Sequence, residues 1–547
     1  MGITPFPFAT LALASTAFAQ FSTNTSGSPV VDLGYAQYRG NTSFRANFST
    51  DVYYGIRFAQ APIGELRWQP PQNIEAHNDY DPSQVMDAEA PSPSCVQGTP
   101  AWQLQANDTG PVPVTGQEDC LLLDVYVPEE PQSSSLPVLV NIHGGGYTQG
   151  SAYGNAWQAL VNASGGSFIY VSTQYRLGAY GFLSSSEVRE NGAANAGLLD
   201  QRSALDWVQR NIRAFGGDPA KVTIIGGSAG GGSVMDQMIM YGGVSSPPFR
   251  AVIAEYPWWQ PFHNKTILEG QYRDLLSAAG CSNIQCLRRL NESALQTATQ
   301  KTYIDAYRTQ PMGIYGFGDF YYGPSVDGDI IRDLPSNEWK QGHFSKVPLL
   351  VDRNGYEGFY FSNQSELTTE GTTMDLQELF PYAKQSFFDR LYQLYPMDSF
   401  NSTFWQRQTL FGDFIINCPT YYMASAMADM GIPTYKLIFN AGTQKHGATG
   451  AFITDPNDSP NVNTTIAEYM KDWFISFITD LDPNANSYYG LTDKPVWPPY
   501  NPRLGSEDST PEFAVMDVNY TQIGAIPDLD VSAQCDFFHS SSYDVRN

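Results

Sequence analysis

Short apolar runs alternate with polar and glycine-rich stretches through the middle of the chain. These runs are rich in aliphatic and β-branched residues, are short enough for fully buried strands, and occupy residues 138–142, 168–171, 222–225, 251–254, 347–351 and 434–439. Between the second and third runs, apolar residues recur at near-helical spacing from Leu198 to Ile212. Strand, helix and strand in this order predict an α/β fold with a large, mostly parallel central sheet and helices on both faces.

The composition provides enough apolar material for one large core. Hydrophobic residues make up 42% of the 547 residues and aromatic residues 14%, which excludes disorder over the whole chain. The sequence has no internal repeat and no low-complexity linker long enough to separate two domains. We therefore expect a single domain over residues 20–547. The formal net charge is −25, and such a surface repels a polyanion, so we expect no nucleic-acid partner.

The first 19 residues have the pattern of a secretory signal peptide. An apolar run from Phe8 to Phe18 ends in Ala17-Phe18-Ala19, a small-x-small cleavage pattern. A short buried helix is the alternative reading of this run. No later segment has the roughly 20 consecutive apolar residues that a membrane span requires, so we expect a secreted, extracellular protein without a transmembrane anchor.

Two further features are typical of an extracellular protein. Asn-x-Ser/Thr glycosylation acceptors are frequent and occur at Asn24, Asn41, Asn47, Asn107, Asn162, Asn264, Asn291, Asn363, Asn401, Asn457, Asn463 and Asn519. The cysteines form an even set, as disulfide-bonded proteins require, and are Cys95, Cys120, Cys281, Cys286, Cys418 and Cys535. Six cysteines allow about 15 pairings, and closeness in sequence favours only the pair Cys281 and Cys286.

The apolar run at 222–225 leads into a glycine-rich turn that holds a serine. Gly226-Gly227-Ser228-Ala229-Gly230 has the G-x-S-x-G pattern of a nucleophile elbow, in which the serine lies on a strained turn between a strand and a helix. The flanking glycines allow neighbouring backbones to approach closely. A glycine-rich turn without chemistry is the alternative, because the short pattern also arises by chance. The strand-like run before it and the helix-compatible sequence after it favour a nucleophile.

A second glycine-rich segment provides what a nucleophilic serine needs. His143-Gly144-Gly145-Gly146-Tyr147 follows the run at 138–142. Consecutive glycines can direct backbone N–H groups at a developing oxyanion, and we expect Gly145, Gly146 and Ala229 to be the donors. A phosphate-binding loop is the competing interpretation of these glycines. However, no Lys-Ser/Thr follows them, as such a loop requires, and the chain is strongly acidic.

At this level of detail the chain resembles the type-B carboxylesterases. This branch of the α/β-hydrolase fold includes carboxylesterases, cholinesterases and secreted fungal lipases. The resemblance extends from about Tyr54 to Cys535 and depends on long motifs in the family's order. These motifs are residues 54–59 (YGIRFA), 62–68 (PIGELRW), 118–121 (EDCL), 175–178 (YRLG), 181–183 (GFL), 197–202 (GLLDQR), 215–219 (FGGDP), the elbow, and Trp497-Pro498 with Tyr500.

The resemblance implies a catalytic triad in the chain order serine, acid, histidine. Ser228 is the nucleophile, and Glu357, which precedes Gly358 after the run at 347–351, matches the family's acid. Asp352 lies nearer the predicted strand and is the alternative acid. Of the six histidines, only His446 and His539 follow Glu357 in the chain. His446-Gly447 follows a strand-like run and a loop, as the family's base does, whereas His539 lies in the terminal tail.

This triad implies hydrolysis of a small-molecule carboxylic ester through an acyl-enzyme intermediate. The family requires no metal and no organic cofactor for this reaction. Two other functions remain open. An enzyme of the same fold can transfer the acyl group to an alcohol other than water, and some relatives are non-catalytic binding proteins that lost the triad. The sequence indicates neither the physiological ester nor the oligomeric state.

Departures from the family pattern limit the substrates that we expect. Gly227 occupies the position where cholinesterases and many relatives carry Glu, so we expect no specificity for choline esters. The segment between Cys95 and Cys120 has few aliphatic residues, whereas an amphipathic lipase lid needs an apolar helix face. This favours an esterase of small or medium acyl chains over a triacylglycerol lipase. Trp258 and Trp259 are candidates for lining the acyl pocket, with core packing as the alternative.

The resemblance also implies covalent and ionic contacts. The disulfides are expected to join Cys95 to Cys120, Cys281 to Cys286, and Cys418 to Cys535. Two partly buried ion pairs are expected, Arg67 with Glu118 and Arg176 with Asp200.

Overall fold

The computed structural model describes residues 28–91, 93–104, 112–154, 157–308, 315–365, 368–460, 462–501 and 513–547. The expected signal peptide at residues 1–19 and the glycosylation acceptors Asn24 and Asn107 lie outside the described residues.

The described residues contain strands β1 to β13. Their bounds are β1 Val30–Asp32, β2 Gln37–Gly40, β3 Thr50–Arg57, β4 Val85–Ala88, β5 Leu122–Pro128, β6 Leu136–Ile142, β7 Ile169–Thr173, β8 Gly217–Gly227, β9 Ala251–Glu255, β10 Leu349–Asn354, β11 Thr434–Asn440, β12 Ala514–Asn519 and β13 Ile523–Pro527. Each of the six predicted runs overlaps one of the strands from β6 to β11.

The α-helices are labelled α1 to α18. Their bounds are α1 Arg45–Phe48, α2 Gln158–Ala163, α3 Gly178–Phe182, α4 Ser186–Asn191, α5 Ala196–Asn211, α6 Ala229–Ile239, α7 Lys265–Ala279, α8 Ile284–Arg289, α9 Glu292–Arg308, α10 Pro335–Lys340, α11 Thr369–Leu379, α12 Gln385–Leu394, α13 Thr403–Gly412, α14 Cys418–Asp429, α15 Ala448–Thr454, α16 Thr464–Asp480, α17 Ala533–Ser540 and α18 Ser542–Val545. The predicted helix between the second and third runs is α5.

Ten strands form one sheet in the order β13-β12-β11-β10-β9-β8-β6-β7-β5-β3, and β1, β2 and β4 form a small separate sheet. Every neighbouring pair from β12 to β7 is parallel, whereas β13, β5 and β3 pair antiparallel at the two ends. The chain therefore has the α/β-hydrolase fold that the sequence predicts, with a large and mostly parallel central sheet.

Both faces of the sheet are buried because successive strand residues point to opposite sides. In β6, Val138 and Val140 belong to one apolar cluster and Leu139 to the other; in β8, Ile224 and Ile225 divide in the same way. Helices α5 and α6 contribute to the first cluster, and α16 contributes to the second. This two-sided burial explains why the strands read as continuous apolar runs.

The two expected ion pairs are almost fully buried. The Arg67 guanidinium donates two hydrogen bonds to Glu118, of 2.7 and 2.6 Å, and the Arg176 guanidinium donates two of 2.7 Å to Asp200. The side chains are 5% and 1% exposed in the first pair and 3% and 0% in the second. Burial raises the pKa of Asp200 although Arg176 acts in the opposite direction, so the carboxylate depends on its partner to remain charged.

Three disulfides join Cys95 to Cys120, Cys281 to Cys286 and Cys418 to Cys535, across 25, 5 and 117 residues respectively. This is the pairing that the resemblance implies. The third disulfide joins α14 to α17, and so links a helix near the C-terminus to a helix that packs on β10 and β11.

Surface features of the described residues bear on secretion. None of the described helices is both long and apolar enough to cross a membrane. Asn47, Asn162 and Asn264 are exposed acceptors. Asn41 is only 7% exposed, and its Nδ2 donates a hydrogen bond to the Glu89 carbonyl, so this acceptor is closed to a glycan in the folded chain.

Replacing Arg176 with Met should lower the free energy of unfolding by about 3–5 kcal/mol, because it leaves the Asp200 carboxylate buried and unpaired. Arg39→Met is the matched control, since Arg39 and its partner Asp87 are 29% and 61% exposed, and it should cost under ~1 kcal/mol. Denaturant unfolding of both variants measures the difference. Equal losses would show that the buried pair contributes no more than the surface pair.

Removing the disulfide between Cys418 and Cys535 should destabilise the chain more than removing that between Cys281 and Cys286. The loop-entropy relation gives about 5 kcal/mol for the longer loop and about 2 kcal/mol for the shorter one. Double Cys→Ser variants compared by chemical unfolding test this order, after peptide mapping without reductant has established the pairing. The reverse order of stability, or a titratable thiol in the native chain, would contradict the expectation.

Candidate active site

The serine of the predicted elbow lies between the end of β8 and the start of α6. Ser228 has φ 60° and ψ −128°, a strained conformation for a residue with a Cβ. Three backbone hydrogen bonds hold it there: its N–H donates to the Glu255 carbonyl at 3.1 Å, and its carbonyl accepts from the N–H groups of Gly232 and Trp258, both at 2.9 Å. The Ser228 side chain is partly exposed, so the elbow presents its hydroxyl at the surface of the site.

The structure brings Glu357 and His446 together. Glu357 lies three residues beyond β10, and His446 lies in the loop between β11 and α15. His446 Nδ1 is 2.6 Å from Glu357 Oε2, and the carboxylate side chain is fully buried. Its other oxygen accepts hydrogen bonds from the backbone N–H and the side-chain amide of Asn354. These bonds fix the orientation of the carboxylate and, through it, that of the imidazole.

The second ring nitrogen of His446 is available for proton transfer. His446 Nε2 is buried and has no hydrogen-bond partner among the described residues. No hydrogen bond joins it to the Ser228 hydroxyl in this structure; such contacts are often long without substrate and tighten when it binds. The rings of Tyr256, Phe361 and Trp258 stand nearly perpendicular to the imidazole, with centroids at 5.0, 5.0 and 6.2 Å. These contacts restrict the ring to one position.

Asp352, the alternative acid, does not contact His446 in the structure. It lies within β10, fully buried, and its Oδ1 accepts a hydrogen bond from the Tyr256 N–H at 3.2 Å. Burial, together with the nearby carboxylates of Glu255 and Glu357, raises its pKa well above the ordinary value. Burial therefore disfavours the charged form of Asp352, whereas an imidazolium needs a charged partner.

His539, the alternative base, lies on α17 far along the chain from the elbow. Its ring stacks on Tyr422 with centroids 4.0 Å apart. Burial and the positive charge of Lys340 lower its pKa to about 4. Of the two candidate histidines, His446 contacts Glu357, and His539 packs on Tyr422 as a neutral, partly buried residue.

The predicted oxyanion loop follows β6 and is anchored by a neutral histidine. His143 Nδ1 is 2.9 Å from the Gly144 carbonyl, and the ring stacks on Tyr175 at 4.4 Å. Burial lowers the pKa of His143 to about 4, so the side chain is uncharged at physiological pH. Its contribution is to fix the loop and not to provide charge.

The loop lies directly against the elbow. A Cβ on Gly144 would be 2.5 Å from the Gly227 carbonyl oxygen, so only glycine permits this approach. The N–H groups of Gly145, Gly146 and Ala229 donate to no other described residue. Unpaired backbone amides are rare in folded proteins, and these three, on two segments that pack together, remain available to bind an anion.

A buried polar pair beneath the loop was not predicted from the sequence. The hydroxyl of Tyr147, the residue after the glycines, is 3.5 Å from an Asp236 carboxyl oxygen. Burial raises the pKa of Asp236 well above its ordinary value, which favours the protonated acid. Its signal in the sequence was a lone acidic residue in the stretch that forms α6.

Aromatic residues form one wall of the site. Trp258 packs against Phe320, Phe361 and Phe411, with ring centroids 5.5, 4.5 and 5.7 Å apart. Since Trp258 also borders His446, this wall faces the reacting groups. Phe320 in turn reaches the oxyanion loop, because a Cβ on Gly146 would lie 2.2 Å from its ring.

The two candidate pocket tryptophans differ in their surroundings. Trp259 is fully buried, its ring is 6.1 Å from that of Tyr422, and its backbone N–H donates to the Ile415 carbonyl. These contacts belong to the core and not to the wall around His446. Adjacent residues point to opposite sides of an extended chain, which the sequence alone did not resolve.

Sequence reasoning also missed two residues at the end of β9, Glu255 within the strand and Tyr256 directly after it. Burial raises the pKa of Glu255 to about 7, and Thr449 donates a hydrogen bond to its Oε1 at 3.4 Å. The available signal was an acidic residue at the end of a fully apolar strand. Such a residue at a carboxyl strand end is a candidate for the site.

The sequence has relatives of known activity. It is 31% identical to Carboxylesterase patB of Aspergillus clavatus, with 84% of this chain and 89% of that protein covered. It is 30% identical to Secreted lipase 1 of Botryotinia fuckeliana, with 83% of this chain and 85% of that protein covered.

A solved structure has the same architecture. The crystal structure of Aspergillus niger EstA superposes with a TM-score of 0.80 at 27% identity, and covers 95% of this chain and 99% of that one. Residues 27–521 match the carboxylesterase family, a range that includes the elbow, the glycine loop and the Glu357–His446 pair. The chain therefore belongs to the carboxylesterase family.

Proposed function

We propose that this chain is a secreted serine hydrolase that cleaves carboxylic esters through a Ser228-Glu357-His446 triad and an acyl-enzyme intermediate. The observation that carries the proposal is the 2.6 Å contact between Glu357 and His446 Nδ1, which leaves Nε2 of the same ring unpaired. Membership of the carboxylesterase family supports the reaction class.

In the first half of the reaction, the Ser228 hydroxyl attacks the ester carbonyl carbon and His446 Nε2 accepts its proton. Glu357 holds the imidazole tautomer through Nδ1 and stabilises the imidazolium that forms. The N–H groups of Gly145, Gly146 and Ala229 bind the negative oxygen of the tetrahedral intermediate. Each such donor is worth about 2.7–4 kcal/mol in the transition state.

The intermediate collapses when His446 returns the proton to the leaving alkoxide, which departs as an alcohol. Ser228 then carries the acyl group. A water molecule gives a proton to Nε2 and attacks the acyl carbonyl, and the acid is released as the serine is regenerated. This chemistry needs only the three side chains and the three amides, so we propose no metal or organic cofactor.

Trp258, Phe320, Phe361 and Phe411 form an aromatic wall at the site. Such a wall favours an ester whose acyl group is apolar. We propose small or medium acyl esters. A triacylglycerol lipase is the second candidate, because one of the relatives described above is named a secreted lipase. Residues 105–111, in the segment where a lid was considered, lie outside the described residues.

We propose that residues 1–19 are removed on export and that residues 20–547 form one catalytic domain. The disulfides support an oxidising compartment, and the Botryotinia fuckeliana relative is named as secreted.

A chain-length series of chromogenic esters, from acetate to palmitate, separates an esterase of small or medium acyl chains from a triacylglycerol lipase. An esterase loses activity beyond medium chains, and a lipase gains activity on emulsified long chains.

Ser228→Ala and His446→Ala should each lower kcat by several orders of magnitude, and the double variant should lose little more, because triad members act as a unit. His539→Ala is the matched control, since it removes a partly buried histidine on α17 that does not contact Glu357. Steady-state kinetics with a chromogenic acetate ester measure all four. Ser228→Ala with wild-type activity, or a larger loss in His539→Ala than in His446→Ala, would refute the assignment.

Gly146→Ala should lower kcat by about 10²–10³-fold, the loss typical of a displaced oxyanion donor. Gly146 has φ +62°, and an added Cβ would meet the Phe320 ring at 2.2 Å, so the loop must shift. The control is Gly216→Ala, which has φ +86° but no heavy atom within 4 Å of the added Cβ. It imposes similar backbone strain far from the loop, and similar losses of kcat in both variants would disprove the oxyanion role.

A further inference from the structure

The residue before the nucleophile has no side chain because another residue fills its space. A Cβ on Gly227 would lie 2.4 Å from the hydroxyl oxygen of Tyr256 and 2.7 Å from the ring carbon that carries it. Gly227 is not among the glycines with positive φ, so its backbone would accept other residues. The constraint at position 227 is therefore steric, and Tyr256 imposes it.

Tyr256 is held in this place by its backbone. Its φ is +34°, a region that residues with side chains rarely adopt. Its N–H donates to the Asp352 carbonyl at 2.8 Å and to the Asp352 carboxyl at 3.2 Å. These bonds outweigh the strain and fix the phenol between Gly227 and the His446 ring, whose centroid is 5.0 Å away. Strain retained beside reacting groups is a common sign of function.

Buried acidic groups lie close to Tyr256. Glu255 is the register partner of Gly227 on one side and of Asp352 on the other. Burial raises the pKa of Tyr256 well above its ordinary value, and the neighbouring acids Glu255, Asp352 and Glu357 act in the same direction. The phenol is therefore neutral, and it lies against Gly227 and beside the His446 ring.

Building on the proposed ester hydrolysis, we propose that Tyr256 is a specificity-determining residue. Its neutral phenol separates the bound ester from the carboxylates of Glu255 and Glu357 and excludes any side chain from position 227. The site consequently favours neutral esters over cationic ones. Removing the phenol would expose a cationic substrate to negative charge, which attracts it more strongly than an aromatic ring does.

Two substrates of the same shape measure this selectivity. Acetylcholine and 3,3-dimethylbutyl acetate differ only in that a quaternary nitrogen replaces a quaternary carbon. The measured quantity is the ratio of kcat/KM for the cationic ester to that for the neutral one. A change that acts only on folding or on the triad alters both esters equally and leaves the ratio constant.

We expect Tyr256→Ala to raise this ratio on the order of tenfold, as a unit charge brought near a carboxylate predicts. Tyr256→Phe retains the ring and should change the ratio by no more than about twofold. This is well under the tenfold effect expected of Tyr256→Ala. Adding Glu255→Gln to Tyr256→Ala should return the ratio toward that of the wild type. A ratio unchanged in Tyr256→Ala, or unaffected by the added Glu255→Gln, would overturn the inference.

Gly227→Ala tests the steric contact without removing the tyrosine. It should lower kcat/KM for both esters equally, and Tyr256→Ala in the same chain should restore part of the loss. Full activity in Gly227→Ala would show that Tyr256 does not occupy this space, and would overturn the inference even if Tyr256→Ala does not fold. A wild-type chain that hydrolyses neither ester would instead overturn the proposed function, on which the inference rests.

Discussion

Parallel pairing of the central strands is the constraint on which the rest of the site depends. Strands β6, β8, β9, β10 and β11 all run in the same direction, so their carboxyl ends meet at one edge of the sheet. The oxyanion loop, the nucleophile, Tyr256, Glu357 and His446 follow these five strands in that order. Groups separated by more than 200 residues are thereby brought to one place without any direct connection between them.

The backbone at this edge is fixed by hydrogen bonds between successive strand ends. The residue after β8, Ser228, donates to the last residue of β9, and the residue after β9, Tyr256, donates to a residue of β10. Each turn therefore depends on its neighbour in the sheet. This coupling can hold both Ser228 and Tyr256 at positive φ, because unfolding either turn would also break the bonds of the next one.

Burial determines the charge of the site as much as residue type does. His143, Asp352 and Asp236 lie close to the reacting groups, and burial shifts the pKa of each toward its neutral form. Glu357 accepts hydrogen bonds from Asn354 and contacts His446. Desolvation thus disfavours charge on several neighbours of the proposed triad acid, which suits the stabilisation of a single imidazolium.

The local features were predictable from the sequence. The two-sided burial of the strands, the turn around Ser228 and the glycines of the oxyanion loop each depend on a few consecutive residues, whose conformational preferences act locally. The family motifs also predicted the disulfide pairs and the buried ion pairs, and they singled out Glu357 and His446, which contact each other in the structure.

The tertiary structure decided the contacts between distant residues. Only packing brings Tyr256 against both Gly227 and His446, and only packing places Trp258 at the site and Trp259 in the core. Packing also raises the pKa of Asp352, because it buries this carboxyl beside other acids. A sequence pattern reports which residues prefer burial, but not which buried residues meet. The charge and shape of the site depend on those meetings, since desolvation and steric contact are properties of the assembled fold.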